Sequence, residues 1–259
     1  MLKGLYTVHT GLRNEQNRMD ILTNNLANAS TVGFKKEGST SQCFGDVLAY
    51  KLKDASVGLD NIQRIGVNNP GVKIGENYTD FTQGSFRITN NTYDLALSGE
   101  GFFAVEYTNS AGETDTKYTR SGSFTLDTDG YLVTKEGDYV LDSSNRRIQL
   151  DTLSDSHIDQ LGNITQKDRV VAQIQVADFE DYDYLVKYGD TYYQPKEGAS
   201  LTEGNAEIKS GYLEMSNVQI VTEMVNMISV TRAYETNQKI MQTYDGSLEI
   251  AVNQLGKVQ

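Results

Sequence analysis

The chain has 259 residues, 38% of them hydrophobic, with 23 basic against 35 acidic side chains and a net charge of −12. That length holds one large domain or two smaller ones, and the negative charge disfavours nucleic acid and anionic membrane surfaces as partners. The single cysteine, Cys43, excludes an internal disulfide, and no apolar run reaches the roughly 18 residues of a membrane-spanning helix.

The first segment reads as a helix. Leu5, Val8, Leu12, Met19, Leu22 and Leu26 step by three and four, with Glu15 in the one polar gap. Such a seam calls for a helical partner. Gly4 and Gly11 stand seven apart on one face. Glycine costs an isolated helix about 1 kcal/mol, so the pair predicts close approach of another backbone. The opening MLKGLYTVHTGLRNEQ lacks the apolar stretch of a cleaved secretory signal. The expectation is a cytoplasmic protein, or one exported by a route that cleaves no such signal. Asn28, Ser30 and Thr31 compete for backbone hydrogen bonds, and Gly33 permits the left-handed conformation that closes a helix.

Residues 36–75 carry scattered Gly, Asn and short apolar runs and read as an irregular or extended linker, ending at the turn cluster NNPG (Asn68–Gly71). From 76 to 210 the period changes to two. FFAVEY (Phe102–Tyr107), GSFTLDTDGYLVT (Gly122–Thr134), DYVLD (Asp138–Asp142), RRIQL (Arg146–Leu150) and DRVVAQIQVADF (Asp168–Phe179) predict strands. Asp129-Gly130, Glu136-Gly137-Asp138, Ser143-Ser144-Asn145 and Gly189-Asp190 predict the turns between them, a spacing that suits a sandwich or barrel.

At the C-terminal end Ser216 and Gln219 form a capping box, with Met215 and Ile220 at the staple positions. Ile220, Met224, Met227, Thr231, Tyr234, Gln238, Met241, Asp245, Leu248, Val252 and Leu255 then step by three and four, and Gly256 closes the helix. A second stripe, Val218, Val221, Val225 and Ile228, lies beside the first. The apolar face is wider than one partner helix needs, so its surplus predicts contact with other molecules.

The expected fold class is therefore α+β. The N- and C-terminal helices pair as a coiled coil (1–35 plus 211–259), with an extended linker (36–75) and an inserted all-β middle domain (76–210). No catalytic constellation accompanies this plan. Gly99-x-Gly101-x-x-Ala104 matches a loose dinucleotide fingerprint, but FFAVEY after it reads as a strand where the motif needs a helix. Asp127-x-Asp129-Gly130 lacks the spacing of a calcium loop and reads as a hairpin turn. Two histidines, His9 and His157, and one cysteine make no zinc set. The acidic run DFEDYDY (Asp178–Tyr184) reads as a solvated loop. No cofactor, no metal and no catalytic residue is expected. Leu5, Val8, Leu12, Leu22 and Leu26, with Ile220, Met224, Met227, Tyr234 and Met241, are the candidate assembly surface. Asn25 and Asn28, with Asn24, are candidates for fixing helix ends and lateral contacts.

Four stretches also resemble one family. NNLANASTVGFKK (Asn24–Lys36), DLALSGEGFFAVE (Asp94–Glu106), YTRSGSFTLDTDGYLV (Tyr118–Val133) and GYLEMSNVQIVTEMVNMISVTRAYETNQKIMQTYD (Gly211–Asp245) are similar to segments of flagellar basal-body rod and hook proteins, the axial proteins of the bacterial flagellum. The resemblance covers both ends and the centre. It implies terminal helices that line a tube and a β-domain outside it, in a subunit of the rod that carries torque from motor to hook. It implies localisation in the basal body and export unfolded through the flagellar type III apparatus. The implied partners are copies of itself, neighbouring rod and hook axial proteins, and that apparatus. Length favours a distal or proximal rod subunit, with the longer hook type as an alternative within the family. An exported adhesin with helical oligomerisation ends and a soluble hydrolase with helical termini are the readings from other classes.

Overall fold

A computed structural model describes residues 2–52, 62–109, 112–204 and 206–255. Two long helices bracket the described strands: α1 (Leu2–Ala27) and α2 (Ile220–Ile250), the latter continued by a π-helical stretch, Ala251–Leu255. Between them a single 3-10 turn, Tyr182–Tyr184, interrupts the strands. Gly256, expected to close α2, lies outside the described residues.

The chain forms two compact units, one of residues 1–26, 37–79 and 220–259 and the other of 27–36 and 80–219. In the first, the segment expected to be an irregular or extended linker is extended and paired. Lys36–Cys43 lies beside Val72–Asp80 in a two-stranded sheet, and Val47–Leu52 pairs antiparallel with Ile62–Asn68. The Asn25 side chain joins α1 to this sheet. Its amide donates to Glu37 O (2.8 Å) and its Oδ1 accepts from Glu37 N (2.9 Å), the double bond a neighbouring strand would make. Asn25 is fully buried and Glu37 half-buried.

The second unit is built around Phe102–Thr108. That strand pairs with Thr114–Thr119, Tyr139–Val140 and Val176–Phe179 at different points along its length. Successive residues of a strand face opposite ways, and here both faces are buried. Phe103 and Val105 join a cluster with Leu97, Phe124, Ile148 and Ile164; Phe102 and Ala104 join an aromatic one with Tyr118, Phe179 and Tyr193. A strand covered on both sides needs apolar residues at every position, which is why FFAV reads as an unbroken run. Phe103 and Phe124 meet edge to face at 5.2 Å, and Phe102 packs on Tyr193 at 5.4 Å.

The turn signals fall where expected. Gly130 (φ 81°) sits between Phe124–Leu126 and Leu132–Thr134, and Gly189 (φ 66°) between Leu185–Tyr188 and Tyr192–Pro195. A strand, Phe102–Thr108, follows Gly99 and Gly101, as the dinucleotide argument required. The run from Asp168 to Phe179 divides: Arg169–Gln173 pairs with Asn163–Gln166, whereas Val176–Phe179 joins the large sheet.

Two helix-end expectations need correcting. Gly33 has the expected positive φ of 71°, but α1 has already ended at Ala27. Gly33 serves a close approach instead: a Cβ there would lie 2.3 Å from Ser121 N, and its N–H donates to Glu214 O. The Ser216 hydroxyl accepts from Val218 N, two residues on, rather than capping α2, which starts at Ile220. The neighbouring Asn217 is occupied likewise. Its Oδ1 accepts from Lys36 N (2.8 Å) and its amide donates to Asp80 O (2.8 Å), so these residues tie segments together.

Next to them lies the most heavily buried charge of this unit. Glu214, Lys35 and Arg120 are 0, 1 and 4% exposed. Lys35 Nζ lies 2.7 Å from Glu214 Oε1 and also donates to Thr82 O (2.8 Å); Arg120 Nη1 lies 3.5 Å from Glu214 Oε2. Gly84 N donates to Glu214 Oε1 at 2.9 Å, and Arg120 Nη2 to Gly99 O at 2.6 Å. Burial pulls the Lys35 ammonium below the ordinary lysine range, and the Glu214 carboxylate opposes that pull. Removing one member of a buried pair strands the others, at about 3–5 kcal/mol. Lys35→Met and Glu214→Gln are each expected to destabilise the chain by about that much in chemical denaturation. The double variant should cost less than their sum by about 1–3 kcal/mol; strict additivity would show that the charges do not couple. Asn25→Ala should cost about 1–3 kcal/mol by removing both of its bonds to the Glu37 backbone, without changing the second unit's near-ultraviolet signal.

Candidate assembly interface

Within the helical unit, α1 has two working sides. One meets the strands: the Ser41 hydroxyl donates to Asn14 Oδ1 (3.1 Å), Asn25 holds Glu37, and a Cβ on Gly71 would lie 2.2 Å from Thr10 Oγ1. The other meets α2. A Cβ on Gly4 would lie 2.7 Å from the Tyr244 hydroxyl oxygen, and one on Gly11 would lie 3.3 Å from Asn237 Nδ2. Seven residues forward on α1 match seven residues backward on α2, so the helices run antiparallel where they meet. The glycines make room for the Tyr244 and Asn237 side chains rather than for the close backbone approach expected from their spacing.

On α2 a stripe shielded from solvent, with Thr231 and Gly246 half-buried beside it, runs through Glu223, Met227, Val230, Tyr234, Asn237, Met241, Tyr244 and Leu248. They step by four and three without a break. Met227, Tyr234 and Met241 of the expected seam lie in this stripe. The rungs between them are Val230, Asn237 and Tyr244, whereas the sequence pattern pointed to Thr231, Gln238 and Asp245, of which the last two are exposed. Apolarity alone could not find Asn237 and Tyr244. The signal that could was Gly4 and Gly11, whose seven-residue spacing theirs mirrors.

The remaining expected members of α2 point outward. Ile220 and Met224 are each 48% exposed, and the second stripe continues the patch with Val221 (76%), Val225 (60%) and Ile228 (54%). Five large apolar side chains thus share the first turns of one helix with solvent in the single chain. Leu5, Val8, Leu12, Leu22, Leu26 and Asn28 on or just beyond α1 are half-buried. Asn28 shapes the exit from α1: its carbonyl accepts from Thr31 N, and its Oδ1 accepts from the Thr31 hydroxyl (3.0 Å). No group of three or more His, Cys, Asp or Glu side chains among the described residues is arranged to hold a metal ion. No helix among them is long and apolar enough to cross a membrane.

Comparison with known proteins accounts for this layout. The family model described as flagella basal body rod protein matches residues 5–35, that of the flagellar hook protein FlgE/F/G D1 domain matches 96–166, and that of the flagellar basal body rod FlgEFG protein C-terminal region matches 209–255. Each match contains one member of the buried ion cluster. The flagellar basal-body rod protein FlgG of Bacillus subtilis is 33% identical over 277 aligned residues, covering 98% of this chain and 99% of the relative. The flagellar basal-body rod protein FlgF of Caulobacter vibrioides is 34% identical over 242, covering 93% and 92%. The flagellar hook-basal body complex protein FlhO of B. subtilis is 30% identical over the full length of both chains. The chain belongs to the flagellar basal-body rod and hook family, whose members are structural subunits and not enzymes.

Proposed function

We propose that this chain is a structural subunit of the flagellar rod, polymerising with copies of itself and with neighbouring axial proteins into the shaft that carries torque from motor to hook. The observation that carries the reading is the outward patch on α2. Ile220, Val221, Met224, Val225 and Ile228 are a surface that a solitary helix has no reason to keep apolar. Burial against helices of adjacent copies would remove it from water at about 25 cal/mol per Å².

In this reading α1 and α2 form the axial core as a coiled coil, comprising 1–35 and 211–259, with 36–75 leading to a β-rich middle part at 76–210. The antiparallel contacts at Gly4 and Gly11 support the pairing, and the unbroken four-and-three steps of the shielded α2 stripe suit a heptad geometry. Strands paired within 37–79 and Asn25 bound to Glu37 give this segment more order than an open linker. Close-packed helices in a lattice give the rigidity that torque demands. Subunits reach the growing tip through the flagellar export channel.

The test is complementation of a strain lacking the gene. Wild type should restore swimming, and Val225→Asp with Ile228→Asp should not. These side chains are exposed, so the isolated double variant should keep its unfolding free energy to within about 0.5 kcal/mol per site. Leu22→Asp with Leu26→Asp should also abolish swimming, here with loss of helical signal. Normal swimming with either pair would overturn the assignment of these helices to assembly.

A further inference from the structure

We propose that a basic pocket on the helical unit receives the acidic segment 180–183 from the other unit of a second copy. The proposal rests on the rod reading and adds to it a specific contact between subunits. The pocket, of about 290 Å³, lies between α1 and the strand Val72–Asp80. His9 and Arg13, one turn apart on α1, and Lys73 supply its basic groups; Phe44, Val72 and Ile74 supply an apolar wall. All three basic side chains are exposed, and among the described residues none has a side-chain hydrogen bond or ion pair. Asn14, at the floor, is already bonded by the Ser41 hydroxyl. Asp46, two residues beyond Phe44, accepts from the Asn69 amide and does not line the pocket.

A chain of net charge −12 repels its own copies at a distance. Where they dock, that repulsion must be offset by local complementarity, which also fixes register. An open-ended polymer further requires two different surfaces that fit each other rather than one that fits itself. Residues Glu180, Asp181 and Asp183 provide the second surface. They are exposed at the 3-10 turn Tyr182–Tyr184 and form no ion pair among the described residues. The turn holds them in a fixed loop: Asp181 Oδ1 accepts from Asp183 N (2.9 Å), and the Tyr182 hydroxyl donates to Asp178 (2.8 Å). Tyr184, 44% exposed beside them, offers a ring to the apolar wall. An acidic and aromatic segment thus faces a basic and aromatic recess, and the two lie on different units.

The experiment is a reciprocal charge swap in the strain lacking the gene. One variant carries Arg13→Glu and Lys73→Glu. The other carries Glu180→Lys and Asp183→Lys, sparing Asp181 because it holds the turn. Each alone should reduce the motile fraction by about tenfold, the order of effect of a lost interfacial charge pair. Co-expressed, the two should restore motility, because every pocket then finds a segment of opposite charge in its neighbour. Wild-type swimming by either variant alone, or failure of both with no rescue on co-expression, would overturn the contact. A photo-crosslinking residue in place of Ile74 tests it without altering charge. In cells that also carry an epitope-tagged copy lacking the crosslinker, it should join the tagged copy within residues 178–188; links only elsewhere, or only within one copy, would overturn it. Normal swimming of the swapped strains beside a non-swimming null would remove the pocket contact and leave the rod reading standing.

Discussion

The second unit depends on one buried carboxylate. Glu214 sits between Lys35 and Arg120 and also takes the N–H of Gly84, so three distant stretches of chain converge on it. Taking three charges out of water is costly, and an apolar cluster of equal volume would often be as stable or more so. A buried ion cluster can instead discriminate among pairings. Lys35 belongs to the VGFKK stretch, Gly99 and Arg120 to the GEGFFAV and YTRSG stretches, and Glu214 to GYLEMSN. A wrong pairing of these segments leaves a bare charge in a dry interior, whereas slippage among apolar residues would cost little. The four stretches that resemble the family by sequence are thus the four that must find one another in space. Gly33 shows the same constraint in steric form, since any side chain there would strike the backbone at Ser121.

Several strands and turns of the middle were legible because their causes are local, but Arg146–Leu150, expected as a strand, makes only isolated bridges at Arg147 and Gln149. Phe102 to Val105 is apolar throughout, and the structure covers both faces of that strand. Asp129-Gly130 turns the chain because glycine tolerates the positive φ found there. The two terminal helices were legible from their periods, whereas Gly4 and Gly11, expected to admit a backbone, make room for side chains. What escaped was non-local. Pairing of Lys36–Cys43 with Val72–Asp80 depends on residues far apart in sequence, and Ser216 and Asn217 look like helix-capping chemistry until their partners in other segments are known.

The candidate surface was half legible, for an informative reason. A periodicity argument collects every apolar position, whatever covers it. On α2 it merged Met227, Tyr234 and Met241, which the chain shields, with Ile220 and Met224, which it leaves in water. It passed over Asn237 and Tyr244 because it stepped onto the neighbouring Gln238 and Asp245, although Asn237 and Tyr244 occupy the rungs against glycines of α1. The asparagines were harder still. Asn25 could be singled out, but nothing local says that its amide will stand in for a strand and bind both backbone groups of Glu37.

Lys35 and Glu214 are separated by 179 positions, and this has a consequence for a chain that emerges from the ribosome amino end first. Lys35 and Arg120 are available long before their counter-ion is made. Until residue 214 appears, both cations stay hydrated, and hydration resists premature collapse around them. Completion of the unit therefore requires residue 214, and a chain truncated before it would lack the counter-ion of Lys35 and Arg120.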